Sequence, residues 1–364
     1  MKILMLSDHY PLSPRVKKIR NSMLKLYPES NVKILAWNRE NTTKTEDYVE
    51  TFNQDLGYGN KLGKLLNLIK FKKKAKMLFD EFKPDYVHAI DLEMCIVARA
   101  ISKKVKLIYE VYDIKFFENK ILNYIREKLE LNIIKNNISG MILASPYFKI
   151  YYDDKCASKK DKIIINNKPS NSIMSNKSKG YMSSYMDLLR DKIVIGFIGT
   201  IRYKDILLNL INSVKDNDKA NILLSGSGPH LNIIKEYVEK NNLQNKVIMT
   251  GRYREADLEE IYDACDYIWA AYPNKDLNVK YAISNKFFES IVFNKKVIVS
   301  ENTMLGDSVI ELKKGYVVNP YAPKDIEALI EKLEINKYKL EKTSFGNGFF
   351  WEDEELELKK IYKL

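Results

Sequence analysis

Asn278 to Ser300 reads NVKYAISNKFFESIVFNKKVIVS, and three kinds of local structure follow one another within it. Ser284 or Asn285 suits a helix N-cap, because a short side-chain oxygen accepts the first unpaired backbone N–H groups. Phe287 with Ile291, and Phe288 with Val292, lie four apart and give the helix an apolar face. Asn294-Lys295-Lys296 breaks that pattern, and Val297-Ile298-Val299 is a β-branched run of the kind a parallel sheet buries. The mouth of the helix presents free N–H groups and the positive end of a dipole, which suit a phosphate. Glu289 lies one turn inside, where its carboxylate can accept both hydroxyls of a ribose. A diphosphate beside a ribose is the shape of an activated nucleotide sugar.

The same alternation of strand and helix extends in both directions. Lys2–Leu6 reads as a strand, Ser7–Arg15 as a loop, Val16–Leu26 as a helix and Val32–Trp37 as a second strand. Asp85–His88, Lys106–Glu110, Gly140–Ala144 and Lys162–Ile165 read as further strands, with helices at Leu92–Ser102 and Ile121–Asn136 between them. After Asn166–Asp191, rich in Asn, Ser and Lys, the pattern restarts with strands at Ile193–Ile198, Asn221–Ser225, Val247–Thr250 and Tyr267–Ala271. A charged amphipathic helix over Glu352–Tyr362 closes the chain. This is α/β architecture in two doubly wound halves, whose ligands bind at the carboxyl ends of the strands. The expected division is residues 1–170, a linker at 171–191, a second domain at 192–342, and a terminal helix at 343–364 packing back on the first.

Composition sets the bounds. A chain of 364 residues, 45% hydrophobic, has room for two cores. The apolar Met1–Leu6 ends too early for a signal peptide, and no stretch is long enough for a membrane span. Cys95, Cys156 and Cys265 are isolated and lack metal spacing, which fits a cytoplasmic protein without a metal site. The formal charge of +12 points to anionic partners: phosphates, nucleic acid or a lipid surface. Lys61–Lys76, with Leu62, Leu65, Leu66, Leu68, Ile69 and Phe71 among its lysines, reads either as a basic amphipathic helix on anionic lipid or as a docked helix with a solvated face. Nucleic acid fits less well, because no binding motif accompanies the basic run.

Ser13-Pro14-Arg15-Val16, Val87-His88-Ala89-Ile90-Asp91, Tyr109-Glu110-Val111-Tyr112-Asp113 and Asn166-Asn167-Lys168-Pro169 occur in that order in the first half. Gly196–Arg202, Ser225-Gly226-Ser227-Gly228, Val247–Arg252, Asn285–Glu289 and Trp351-Glu352 continue the series. Over nearly its whole length the chain resembles GT-B glycosyltransferases of the retaining, family-four type. The resemblance implies a GT-B fold, two Rossmann-like domains facing a central cleft, and a nucleotide diphosphate sugar as co-substrate, without a further cofactor. It implies donor contacts from Gly199, Thr200, Arg202, Lys204, Gly226, Gly228, Arg252, Ser284, Asn285, Lys286, Phe287 and Glu289. Acceptor contacts fall on Arg15, His88, Asp91 and Tyr112, and Arg202, Lys286 and Asp113 are the catalytic candidates. The acceptor it implies is a hydroxyl of a glycan or lipid-linked glycan, in capsule or exopolysaccharide synthesis at the cytoplasmic membrane face.

Three departures from the family pattern stand out. Tyr281 takes the place of the first glutamate of a pair that ends at Glu289, Tyr112 that of a histidine, and Ser13-Pro14 that of two glycines. Plainer readings run alongside. Glu289 would favour its own helix start, Lys286 would be a solvated flank, and Arg202 would pair with Asp205. Gly226-Ser227-Gly228 would be a tight turn, and His88 a packed core histidine. Two other functions share these features: a non-catalytic GT-B partner subunit, and a GT-B nucleotide-sugar epimerase or hydrolase.

Overall fold

Consecutive apolar residues, Ile3 to Leu6, start the first sheet. In the computed structural model, which describes residues 1–363 apart from 45, 56–60, 157, 159, 176–177 and 334–347, they lie in β1, Lys2–Tyr10. For 61, 62, 64 and 65 the backbone alone is described. β1 runs four residues further than the sequence suggests, because the ladder to β2 (Asn31–Asn38) resumes at Tyr10 after an irregularity. Helix α1, Pro14–Leu26, then begins at once. The Ser13 hydroxyl accepts the Val16 N–H, and Pro14 fills a first-turn position where no N–H is needed. Ser13-Pro14 is thus a helix start built from a cap instead of from glycines.

The first unit continues through β3 (Val49–Asn53), α2 (Lys61–Phe82), β4 (Tyr86–Ile90), α3 (Asp91–Ile101) and β5 (Lys106–Val111). It ends with α4 (Lys120–Asn136), β6 (Gly140–Leu143), α5 (Pro146–Lys155) and β7 (Asp161–Ile164). All seven strands are parallel, in the order β3-β2-β1-β4-β5-β6-β7. The direction of winding reverses between β1 and β4, the position at which open α/β sheets form a binding crevice. β3 went unread in the sequence because VETFN has little apolar content, as befits a short edge strand.

The second unit spans Asn167–Asp353. It contains α6 (Met186–Leu189), β8 (Ile193–Ile198), α7 (Lys204–Val214), β9 (Ala220–Ser225), α8 (Leu231–Lys240), β10 (Val247–Gly251), α9 (Leu258–Asp263) and β11 (Tyr267–Ala270). It continues with α10 (Leu277–Tyr281), α11 (Asn285–Val292), β12 (Lys296–Ser300), α12 (Met304–Glu311), β13 (Gly315–Val318) and α13 (Pro323–Lys332). Its six parallel strands run β10-β9-β8-β11-β12-β13, reversing between β8 and β11. Successive side chains of a strand point to opposite faces. Ile193, Ile195 and Phe197 therefore pack with α7, α8 and α13, while Val194 and Ile198 pack with α9, α11 and α12.

Residues 171–191 are not a free linker. Ile173, Met182 and Leu189 are buried in the second of these cores, three apolar anchors hidden by a polar composition. The junction expected at 342/343 lies outside the described residues. The closing segment is not one helix but α14 (Trp351–Glu354), a 3-10 turn and α15 (Leu358–Ile361). From Glu354 onward it belongs to the first unit. Glu355 accepts from Ser22 and Lys25, and the Tyr27 and Tyr86 hydroxyls donate to the carbonyls of Tyr362 and Lys363.

In the second unit the loops after β8 and β9 are stapled backbone to backbone. Gly199 N–H donates to Ser225, Ile201 N–H to Ser227, His230 N–H to Ile201 and Gly226 N–H to Gly251. This approach leaves no room for a side chain at Gly226, where a Cβ would lie 1.8 Å from the Gly199 carbonyl oxygen at a φ of +145°. Gly226→Ala should cost about 2–4 kcal/mol of stability, read as a lower urea midpoint at constant slope. An unchanged midpoint would mean that the two loops separate freely.

Candidate functional site

At the start of α11 the cap left open by the sequence is Ser284, whose Oγ accepts the Lys286 N–H at 3.2 Å. One turn on, the buried Glu289 carboxylate accepts three side-chain donors. These are Lys286 Nζ at 2.6 Å, the Tyr262 hydroxyl at 2.7 Å and Asn285 Nδ2 at 2.9 Å. Burial works against the Lys286 charge, but Glu289 and the neighbouring Tyr253 outweigh it and raise its pKa. Burial and Glu289 together push the Tyr262 hydroxyl well above its ordinary value. The plainer reading of Lys286 as a solvated flank therefore fails: it is 6% exposed and ion-paired. Its Cε lies 3.8 Å from where a Cβ on Gly199 would be, so the ammonium group reaches towards the end of β8.

Two aromatic residues that the sequence reading passed over join this mouth to the β8 loop. The Tyr203 and Tyr272 rings lie 5.6 Å apart, the Tyr272 hydroxyl accepts from Ser284, and the Arg202 guanidinium sits 4.8 Å over the Tyr203 ring. Arg202 is exposed, and its carbonyl accepts from His230 Nδ1. Lys204, not Arg202, is the partner of Asp205, at 3.6 Å. Thr200 and Arg252 are exposed, and Phe287 is buried in the core. Gly226 and Gly228 need correcting: the N–H of Gly226 is bonded to Gly251, and a Cβ on Gly228 would meet the Ile201 backbone at 2.5 Å. They make a packing turn, not an open phosphate cradle.

In the first unit a second buried glutamate organises the site. Glu110, on β5, receives Arg15 Nε at 2.9 Å and His88 Nε2 at 2.7 Å. With Nε2 protonated towards the carboxylate, His88 Nδ1 accepts the Tyr362 hydroxyl at 2.6 Å. Burial raises the Glu110 pKa, but Arg15 and His88 more than offset it and leave the carboxyl below its ordinary value. His88 has no exposure and Arg15 is 3% exposed. The resemblance puts both at the acceptor; both are instead committed to Glu110, His88 as the packed histidine of the plainer reading, because a carboxylate shut away from water needs internal donors. The Arg15 guanidinium also lies 5.2 Å over the Tyr112 ring.

Asp91 begins α3 at a φ of +60° and is buried. Its Oδ1 accepts the N–H groups of Tyr112 at 2.9 Å and Asp113 at 3.3 Å, and its Oδ2 pairs with Lys115 at 3.1 Å. Asp91 thereby fixes the loop after β5, on which Tyr112 is half-buried and Asp113 exposed. Burial pushes its carboxyl up to about 7 against the pull of Lys115, with Asp113 and Asp8 adding to the rise. Among the described residues no group of three or more His, Cys, Asp or Glu is arranged to hold a metal ion.

Residues 187–344, which include the whole Lys286–Glu289 site, match Glycosyl transferases group 1. This part of the chain, somewhat under half of it, is similar to the group 1 glycosyltransferases. The chain is 26% identical over 138 residues to the alpha-monoglucosyldiacylglycerol synthase of Streptococcus pneumoniae, a match spanning 37% of this chain and 30% of that protein. Sucrose-phosphate synthase from Thermosynechococcus elongatus superposes with a TM-score of 0.71 at 14% identity, over 100% of this chain and 95% of that one. Anabaena HepE in complex with UDP superposes with a TM-score of 0.65 at 16% identity, over 91% and 89%. The fold is GT-B, as the sequence resemblance implied.

The Asp91 environment has a consequence for pH. A carboxyl raised to about 7 in the folded state holds its proton where the unfolded chain, at a pKa of about 3.9, has lost it. Stability should therefore fall as pH rises from about 4 to 7. Asp91→Asn keeps the Oδ1 acceptor and tolerates the left-handed backbone, so it should flatten that decline. Urea midpoints at three pH values for both proteins measure it, and parallel slopes would refute the assignment.

Proposed function

We propose that the protein transfers a sugar from a nucleotide diphosphate sugar to a hydroxyl of a glycan or lipid-linked glycan. The transfer proceeds with retention, in the synthesis of a surface glycan of capsule or exopolysaccharide type. The observation that carries the proposal is the buried Lys286–Glu289 pair at the capped mouth of α11, beside Gly199 at the end of β8. On this reading the ribose hydroxyls donate to Glu289, replacing donors that now come from Asn285 and Lys286. Lys286, released towards Gly199, and the exposed Arg202 engage the diphosphate, with Lys204, Thr200 and Arg252 at its margin. Two fixed cations stabilise the leaving diphosphate as the glycosidic bond to it breaks, in place of a metal ion. The departing phosphate oxygen takes the acceptor proton, so no separate base is required.

Acceptor contacts are assigned to the loop that Asp91 holds, with Tyr112 and Asp113. The exposed Lys70, Lys72, Lys73 and Lys76 of α2 are assigned to an anionic membrane surface on the cytoplasmic side. The side chains of Lys61 and Lys64, included in the sequence expectation, lie outside the described residues. Among the described residues no helix is long and apolar enough to cross a membrane.

A second reading has one observation in its favour. Tyr281 stands where the family pair has its first glutamate, as expected of a partner subunit that has lost catalysis. A thermal-shift series with UDP, GDP, ADP, CMP and their sugar conjugates separates the two. The bound HepE complexes with UDP and with UDP-glucose make uridine conjugates the first to try. At 100 times its dissociation constant a ligand adds about 2.7 kcal/mol to stability. A shift with one nucleotide that disappears in Arg202→Ala and Glu289→Gln supports the donor site. No shift with any of them overturns it and leaves the subunit reading.

A further inference from the structure

Helix α4 is built inside out. Its inward face carries the buried ion pair Arg126–Glu130 beside Ile133 and Ile134. Its outward face carries Ile121, Leu122, Ile125 and Leu129, with Ile121 71% and Ile125 56% exposed. Phe116 and Phe117 of the preceding loop are also about half exposed, at 50% and 47%. Scattered exposed apolar side chains need no explanation, but six large ones within fourteen residues on one surface do. The patch adjoins the loop held by Asp91, because Tyr112 and Asp113 lie immediately before it in the chain.

The aromatic and basic side chains around this patch, and the lysines that share its layer, point to what covers it. Lys120 and Lys128 flank it, with Glu118 also exposed and Glu127 paired with Lys155, and Lys128 Nζ lies 5.3 Å over the exposed Tyr124 ring. An aromatic body with a cationic tip beside it is suited to the boundary between hydrocarbon and headgroups. Parallel crossovers are right-handed, and those from β3 to β4, β4 to β5 and β5 to β6 all advance in the same direction across the sheet. They place α2, α3 and α4 in one layer, with α1 on the opposite face. The exposed lysines 70, 72, 73 and 76, with Leu66, Ile69 and Met77 exposed among them, therefore share a layer with the apolar patch.

We propose that residues 116–129 form a membrane-insertion face, which enters a bilayer carrying anionic headgroups while the α2 lysines supply the long-range attraction. The proposal rests on the assignment of α2 to an anionic membrane and adds the part that enters the hydrocarbon boundary. Charge alone would leave the protein loosely bound and salt-sensitive, whereas buried apolar area makes the attachment persist.

The test is flotation of the full chain with phosphatidylcholine vesicles, with and without phosphatidylglycerol. Wild type should bind the anionic vesicles, and L122S/I125S should bind at least about tenfold more weakly, since two large aliphatic side chains no longer leave water. An unchanged melting temperature for this variant excludes misfolding, because both side chains are exposed. Trp37, Trp269 and Trp351 are buried, so in Ile125→Trp the new indole is the one that brominated lipids should quench. Equal binding by wild type and L122S/I125S overturns the proposal, as does absence of wild-type binding. A dimer that L122S/I125S dissociates, without vesicle binding, assigns the face to a second copy and also overturns it. K70E/K72E/K73E/K76E separates the two membrane assignments. If it alone abolishes binding, the α4 face fails and the basic helix stands; if it changes nothing while L122S/I125S does, the reverse holds. Donor shifts measured on the same variants keep the transferase reading independent.

Discussion

A carboxylate without access to water must find its donors inside the protein, and each unit is arranged around one. In the first, Glu110 on β5 draws Arg15 from the start of α1 and His88 from β4. In the second, Glu289 draws Lys286 from one turn earlier on α11 and Tyr262 from α9. The arrangement ties separate elements together at specified distances, which apolar packing alone does not do. Replacing such a pair with hydrocarbon of similar volume is often no less stable, so its presence is weak support for a purely structural role. In the second unit the pair faces the β8 loop, where its charges are available to exchange partners. In the first it is closed off, and the exposed groups are those of the loop that Asp91 holds.

Most of the fold was legible because a parallel sheet demands continuous apolar runs. Strands such as Ile193–Ile198 and Lys296–Ser300 are apolar on both faces and bounded by turn residues. The misses have physical causes. β3 is a short edge strand with three of its five residues polar, and the 171–191 segment has its three anchors diluted by Asn, Ser and Lys. α10 is five residues long and α12 eight, so periodicity has little to act on in either.

The site was legible by type more than by contact. Lys286 and Glu289 lie one turn apart, as their spacing suggests, but their pairing with each other is not a property of spacing. The family pattern places Arg15 and His88 outward, although the residues alone favour a packed histidine at His88. The sign that pointed inward was Glu110, the one acid in KLIYEV and four residues past the exposed Lys106, which had to recruit cations. Tyr203 and Tyr272 carried no signal, since an aromatic beside a loop is as often core as site.

The placement of Tyr362 against His88 joins residues 274 positions apart. The first unit is therefore discontinuous: its sheet is synthesised early, and the segment that completes the Glu110 network emerges only after the whole second unit. During synthesis the second unit can reach its native state while the first still lacks a hydroxyl for His88 and a carboxylate for Lys25. Residues 354–363 thus act as a closing latch on the half made first, so that half is finished by a segment that lies beyond the whole second unit in the sequence.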